Sequence, residues 1–143
     1  MSEWKTVLVG VDGSPSSRAA LRWAAAEAQQ HGCELVALNA WAPVMVPITG
    51  GTVTAPREVP DPAGYATTLL LQTITDELGE NPPVTVQPRV KSGNAAKLLI
   101  ELSAEADLLV VGTRGHGGFV GLLLGSVSQQ VVSHAQCTVA VVR

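Results

Sequence analysis

Aromatic residues, cysteine and charge are all scarce in this sequence. Of its 143 residues, 3% are aromatic, 15% are charged and 46% are hydrophobic, so any core must be built mainly from aliphatic side chains. Cys33 and Cys137 are the only cysteines. A domain of this length buries roughly 70% of its unfolded surface and needs no disulfide to hold it together. The composition therefore excludes both a disordered chain and a disulfide scaffold.

An excess of basic residues and a long apolar run are also missing. The net charge of −3 offers no electrostatic footprint for a nucleic acid or for an anionic membrane surface. No apolar segment approaches the roughly 20 residues of a membrane-spanning helix. The N-terminal residues include Glu3 and only a very short apolar run, which is not typical of a secretion signal. We therefore expect a cytoplasmic protein with neither nucleic acid nor membrane as a partner.

The motifs of several common sites are absent as well. The sequence contains no Gly-Lys pair, which excludes a Walker phosphate loop. A dinucleotide fingerprint starting at Gly115 fails because its last position is Val120. Ser126 lacks the GxSxG elbow of a hydrolase, and the dispersed cysteines and histidines have no zinc-ligand spacing. We predict no catalytic residue and no metal site built by the protein itself.

Apolar, β-branched segments alternate along the chain with segments of helical periodicity. The predicted strands are residues 6–11, 34–41, 84–90, 107–112 and 137–143. The predicted helices are the segment capped by Ser14 and ended by Gly32, followed by residues 65–79, 94–102 and 126–135. The segment 42–64, which holds five of the nine prolines, is predicted to be a long loop.

This alternation predicts one α/β domain over residues 1–143. Because parallel strands need long right-handed crossovers, the fold is expected to be a doubly wound, Rossmann-like parallel sheet with helices on both faces. Pro88 lacks a backbone donor, so its strand is predicted at a sheet edge. Ligands of such sheets bind outside the carboxyl ends of the strands, which would bring residues 10–14 beside residues 112–118.

Glycines are concentrated between residues 110 and 128, in the stretch VVGTRGHGGFVGLLLGSVS. Gly112 ends a strand, Gly115 permits a tight turn, and Gly125 precedes the next helix. Backbone N–H groups and the helix dipole would then converge on an anion, most simply a phosphate. Arg114 adds a positive charge, and the hydroxyls of Ser126 and Ser128 can donate to phosphate oxygens. The segment is a candidate phosphate site.

The spacing Gly112, two residues, Gly115, nine residues, Gly125-Ser126 resembles the nucleotide-binding signature of the ATP-binding branch of the universal stress protein family. The resemblance covers the whole chain, including VLVGVDGSPSSRAALRWA, SGNAAKLLIELSAEADLLVVGTRG and SHAQCTVAVVR. It implies five parallel strands in the order 3-2-1-4-5. It also implies a homodimer paired through the strand at 138–142, whose apolar edge would otherwise stay open.

The resemblance also implies a ligand, ATP, with Mg²⁺ as its counterion. Adenine and ribose would lie beside Gly10, Val11, Asp12 and Ser14, with Asp12 accepting from ribose hydroxyls or assisting the metal. The phosphates would contact Gly112, Arg114, Gly115, His116, Gly117, Gly118, Gly125, Ser126, Val127 and Ser128. The segment after Trp41 departs from any fixed pattern, so the base contacts there are left open.

Other interpretations stay open at single residues and for the whole chain. Asp12 can instead shape a turn or cap a helix, and His116 can be a polar surface residue. For the chain, we expect an ATP-binding module of stress signalling with little or no turnover, because the glycine-rich segment contains no lysine. The alternatives are an enzyme that cleaves ATP between the α and β phosphates, and an interaction module without a ligand.

Overall fold

The computed structural model describes residues 3–42, 45–48, 51–54, 61–113 and 124–143. Seven strands and four helices follow one another within these ranges. The strands are β1 Thr6–Gly10, β2 Glu34–Trp41, β3 Met45–Ile48, β4 Gly51–Thr54, β5 Val86–Ser92, β6 Leu108–Gly112 and β7 Thr138–Val142. The helices are α1 Pro15–His31, α2 Pro62–Leu78, α3 Ala95–Ser103 and α4 Ser126–His134.

Five of the strands form one parallel sheet in the order β5-β2-β1-β6-β7. Without the two strands β3 and β4, this is the predicted order 3-2-1-4-5. Strand β5 lies at an edge, as Pro88 predicted. The Thr85 carbonyl accepts from Leu35 N–H at 2.9 Å, and backbone direction alternates along a strand, so the Pro88 nitrogen points away from β2.

The sheet is apolar on both faces, and each face is covered by two helices. Alternate strand residues pack against α1 and α2; these are Val7, Val9, Leu35, Ala37, Leu108 and Val110. Their neighbours in sequence pack against α3 and α4; these are Leu8, Val36, Leu38, Leu109 and Val111. The predicted doubly wound architecture is therefore confirmed, and it explains why the strands are almost continuously apolar.

The first helix has the ends that its sequence predicts. Ser14 caps it by accepting from Ser17 N–H at 3.3 Å, Pro15 is its first residue, and Gly32 ends it with a left-handed φ of 66°. Its apolar stripe of Leu21, Ala24, Ala25 and Ala28 is buried. Helices α1 and α2 have 17 residues each, and none of the helices in the described ranges combines the length and apolarity that a bilayer span requires.

The prediction of a long loop over residues 42–64 is wrong. Strands β3 and β4 pair in antiparallel fashion there, with Val46 opposite Val53, so the β-branched residues of this segment outweigh its prolines. Helix α2 also begins earlier than predicted. Asp61 caps it by accepting from Gly64 N–H at 3.1 Å, and Pro62 suits the first helical turn.

Asp107, just before β6, holds the start of β1 in place. Its carboxylate accepts from Lys5 N–H at 2.7 Å and from Thr6 N–H at 3.0 Å, while its own N–H donates to the Thr6 carbonyl. The two backbone donors lower the pKa of the Asp107 carboxyl below its ordinary value. One ionised side chain thus aligns the central strand β1 with its neighbour β6 at their amino ends.

We expect Asp107→Asn to lower the free energy of unfolding at pH 7 by about 1 kcal/mol, because the amide loses the charge that strengthens both hydrogen bonds. The folded-state pKa lies below the unfolded one, so the contribution is complete above the unfolded pKa. It is lost as pH falls through the folded pKa, below about pH 4. Urea denaturation at pH 7 and at pH 3 measures both effects.

Glu105→Gln is the matched control, because this exposed carboxylate lies two residues earlier. It should leave stability at pH 7 within about 0.5 kcal/mol of the parent. Equal losses in the two variants would contradict the role given to Asp107.

Candidate functional site

The candidate site lies at the carboxyl ends of β1 and β6, which are neighbours in the sheet. Helix α1 leaves β1 toward one face, whereas α4, the helix after β6, packs on the other face. A crevice forms where two adjacent parallel strands send their chains to opposite faces. This is the position at which the sequence placed residues 10–14 and 112–118.

Hydrogen bonds within the turn shape the connection from β1 to α1. The Asp12 carboxylate accepts from Ser14 N–H at 2.8 Å, and Asp12 N–H donates to the Ser17 hydroxyl at 3.2 Å. Ser14 is buried and caps α1, while the Val11 N–H donates to Leu38 of β2. The interpretation that Asp12 shapes a turn is thus confirmed. Its contact with a ribose stays a prediction, and the turn already orients the carboxylate.

Gly13 belongs to this turn but was missed by the sequence analysis. Its φ of 84° lies in the left-handed region, which glycine adopts without the strain of a side chain. A Cβ at this position would meet Leu69 of α2 at 3.7 Å. The Asp-Gly pair directly after an apolar strand was the signal that could have identified it.

Gly112 is required by close packing at the end of β6. A Cβ added there would lie 2.7 Å from the backbone carbon and oxygen of Ser16, in the first turn of α1. The backbone of Ser16 cannot move away as a flexible side chain could. The glycine that was predicted to contact phosphate therefore also brings α1 against the end of the neighbouring strand.

Thr113 connects the segments around the crevice. Its carbonyl accepts from Gly125 N–H at 2.6 Å and from the Ser128 hydroxyl at 3.1 Å. Its N–H donates to the Val142 carbonyl at 3.1 Å, and its hydroxyl lies 3.4 Å from that of Ser16. The end of β6 is thereby joined to β7, α1 and the start of α4. Sequence analysis missed Thr113, because a lone threonine after a strand carries no signal of its own.

Two groups expected to face phosphate are used inside the protein. The Gly125 N–H donates to Thr113, and the buried Ser128 hydroxyl donates to the carbonyls of Thr113 and Gly125. Both donors hold the start of the helix on the strand end, and the phosphate contacts expected of Gly125 and Ser128 stay predictions. Ser126 is exposed and Val127 is half-buried. First-turn amides have no intrahelical acceptor, and no side chain of the described residues caps α4, so its N-terminus remains suited to an anion.

Five predicted site residues lie outside the described residues, namely Arg114, Gly115, His116, Gly117 and Gly118. Of the rest, the structure brings together Gly10, Val11, Asp12, Ser14, Gly112, Gly125, Ser126, Val127 and Ser128 at the carboxyl edge of the sheet. Trp41 ends β2 half-buried, and its carbonyl accepts from Gly93 N–H at 2.8 Å. Within the described ranges, no group of three histidine, cysteine or acidic side chains could hold a metal ion.

We expect Gly112→Ala to lower the free energy of unfolding by roughly 1–3 kcal/mol, because its methyl group would overlap the Ser16 backbone. Gly10→Ala is the matched control at the end of the adjacent strand. Its nearest neighbour would be the Leu99 side chain at 3.1 Å, which can rotate away. Chemical denaturation should therefore rank Gly112→Ala as the more harmful change, and the reverse order would contradict the packing argument.

Comparisons with known proteins agree on one family. The profile of the universal stress protein family matches residues 3–143. A universal stress protein of Mycolicibacterium smegmatis is 41% identical over 138 residues, which make up 96% of this chain and 45% of that protein. The chain thus spans less than half the length of the curated relatives that it matches.

Solved structures share the fold over nearly the whole chain. The universal stress protein UspA from Lactobacillus plantarum superimposes with a TM-score of 0.76 at 24% identity and covers 100% of both chains. A universal stress protein crystallised in complex with cAMP has a TM-score of 0.73 at 28% identity, covering 99% of this chain and 98% of its own. That protein binds an adenine mononucleotide within the architecture found here.

Proposed function

The chain belongs to the universal stress protein family, and from this premise we propose that it binds ATP, with Mg²⁺, in the crevice between the ends of β1 and β6. The observation that carries the proposal is the Thr113 network, which joins the first turn of α1 and the start of α4 to the same strand end. The cAMP complex of a 28% identical protein supports an adenine nucleotide as the ligand.

In the proposed complex the turn after β1 contacts the nucleoside. The Asp12 carboxylate is already held by Ser14 N–H and accepts from the ribose hydroxyls with its remaining lone pairs. The phosphates extend from Gly112 toward α4, where the first-turn amides of Ser126 and Val127 and the exposed Ser126 hydroxyl donate to them. Gly125 and Ser128 keep that helix start in place.

The oxygen ligands that the described residues offer suit Mg²⁺ only when it is bound to the nucleotide phosphates. Magnesium is usually bound through phosphate oxygens, water and one or two carboxylates. Asp12 supplies a carboxylate in the β1–α1 turn, and the described part of the chain holds no group of three acidic, histidine or cysteine side chains that could bind a metal ion. The ion would reduce the charge repulsion of the triphosphate, so magnesium affinity should depend on the presence of ATP.

We propose that nucleotide occupancy, and not turnover, is the function of the site. Fast phosphoryl transfer uses positioned cations and a residue that orients the nucleophile. Lys97 is the last lysine of the sequence, so the segment from β6 to residue 143 contains none. The Asp12 carboxylate is engaged in its own turn. Binding of ATP would then act as a signal in a stress response by stabilising one conformation or assembly.

We expect Ser126→Asp to weaken ATP binding at least tenfold, as measured by calorimetric titration in magnesium. A carboxylate suits the positive end of the helix dipole, so α4 should stay folded while the added charge repels phosphate. Ser133→Asp adds the same charge at an exposed position near the other end of α4 and should change affinity less than threefold.

The same preparations show whether ATP is bound and what becomes of it. Denatured wild-type protein should release intact nucleotide, identified by chromatography and mass. Failure to recover or titrate any nucleotide would refute the proposed function. Release of AMP together with pyrophosphate would instead favour the enzyme that cleaves ATP between its α and β phosphates.

We also propose that two chains pair through β7. This strand lies at the edge of the sheet, and its residues Val139–Val142 are apolar and only half-buried. The Val142 carbonyl points to β6, where it accepts from Thr113 N–H. Because backbone direction alternates, the Val141 N–H points outward. An open apolar edge of this kind is a template for strand pairing with a second copy.

Val141→Pro should therefore shift the dimer toward monomer, because it removes an outward donor without removing a donor to β6. Val141→Ala is the matched control, since it shortens the side chain and keeps the N–H. Sedimentation analysis should find the alanine variant dimeric at concentrations where the proline variant is monomeric. A wild-type protein that stays monomeric in the presence of ATP would rule out this pairing.

A further inference from the structure

Arg18 links the turn after β1 to helix α2. Its Nε donates to the Gly13 carbonyl at 3.1 Å. One of its terminal nitrogens lies 3.5 Å from Asp76 and 3.7 Å from Glu77, near the end of α2. Since Nε and the terminal nitrogens belong to one rigid plane, the position of the two carboxylates determines the direction of the Nε–H donor.

The peptide between Gly13 and Ser14 is held at both ends. Arg18 binds its carbonyl oxygen, and the Asp12 carboxylate accepts from its N–H at 2.8 Å. Glycine rotates more freely than any other residue, and Gly13 adopts a φ of 84°. Two hydrogen bonds to one peptide unit therefore fix a conformation that the glycine alone would not maintain. That conformation also sets the direction of the Asp12 side chain.

Helix α2 provides a firm base for this link. The second carboxylate oxygen of Asp76 accepts from the Gln72 side chain at 2.8 Å, one helical turn earlier. Glu77 is exposed over only 15% of its side chain and also pairs with Arg22 at 2.8 Å. Leu69 of the same helix faces Gly13. An ion-pair network thus links the turn to α2, whose Leu69 side chain lies beside Gly13.

We propose that Arg18 is a positioning residue for nucleotide binding. Arg18 holds the Asp12–Ser14 turn in its binding conformation, and the position of α2 determines where Arg18 lies. The proposal rests on the proposed function of the site. Two carboxylates balance the charge of Arg18, so its contribution is orientation and not attraction of phosphate. Any displacement of the end of α2 would pass through Arg18 to the Gly13 carbonyl and change nucleotide affinity.

Arg18→Lys tests this role, because lysine keeps the charge but lacks the planar fork that reaches the carbonyl and the carboxylates together. Arg22→Lys is the matched control, because it alters the shorter ion pair to the same Glu77 and the Arg22 guanidinium donates to that carboxylate, not to the turn. Titration with ATP and magnesium, well below the melting temperature of both variants, should show about a tenfold loss for Arg18→Lys. Arg22→Lys should remain within about twofold of the wild type.

A measurement without ligand separates positioning from general destabilisation. The backbone amide resonances of Gly13 and Ser14 should shift in Arg18→Lys and remain unchanged in Arg22→Lys. Equal affinities and equal spectra in the two variants, with ATP bound by the wild type, would overturn the positioning role and leave nucleotide binding intact. A wild type that binds no nucleotide would overturn the proposed function, and the positioning of a nucleotide with it.

Discussion

The carbonyl oxygen of Thr113 is the acceptor on which the candidate site depends. It receives the Gly125 N–H and the Ser128 hydroxyl, so the first turn of α4 lies against the end of β6. Residues 113 and 125 are far enough apart in sequence that no local preference would bring them together. This pair of hydrogen bonds places the N-terminus of α4, with its unsatisfied first-turn amides, at the end of β6.

This arrangement is possible because the sheet is buried on both faces. Apolar side chains alternate between the α1–α2 face and the α3–α4 face. Strand β1 occupies the centre beside β6, and the helices that follow these two strands pack on opposite faces. Gly112 lets the backbone of α1 approach the end of β6 without steric overlap. Core packing therefore places the start of α1 against the end of β6, and Gly112 is required for that close approach.

Several groups at the site already have partners within the protein. Asp12 and Ser14 form the turn and the cap, Ser128 anchors α4, and Arg18 holds the Gly13 carbonyl. Such engagement reduces the flexibility that a ligand would otherwise have to remove on binding. Through Arg18 it also links the turn after β1 to α2, a helix that follows the segment in which β3 and β4 pair. The hydrogen bonds that hold the turn after β1 in one conformation therefore also connect it to α2.

The sequence by itself determined the five strands of the parallel sheet, the caps of α1, the edge position of β5 and the doubly wound class, because apolar periodicity, Ser14, Gly32 and Pro88 act on their immediate neighbours. It also indicated which segments meet. Only the tertiary structure decided which hydrogen bonds these residues make. Gly125 and Ser128 donate to the Thr113 carbonyl, and Arg18 donates to the Gly13 carbonyl while it pairs with carboxylates of α2. Hydrogen bonds between residues distant in sequence leave no periodic trace, since their geometry exists only after the core has packed.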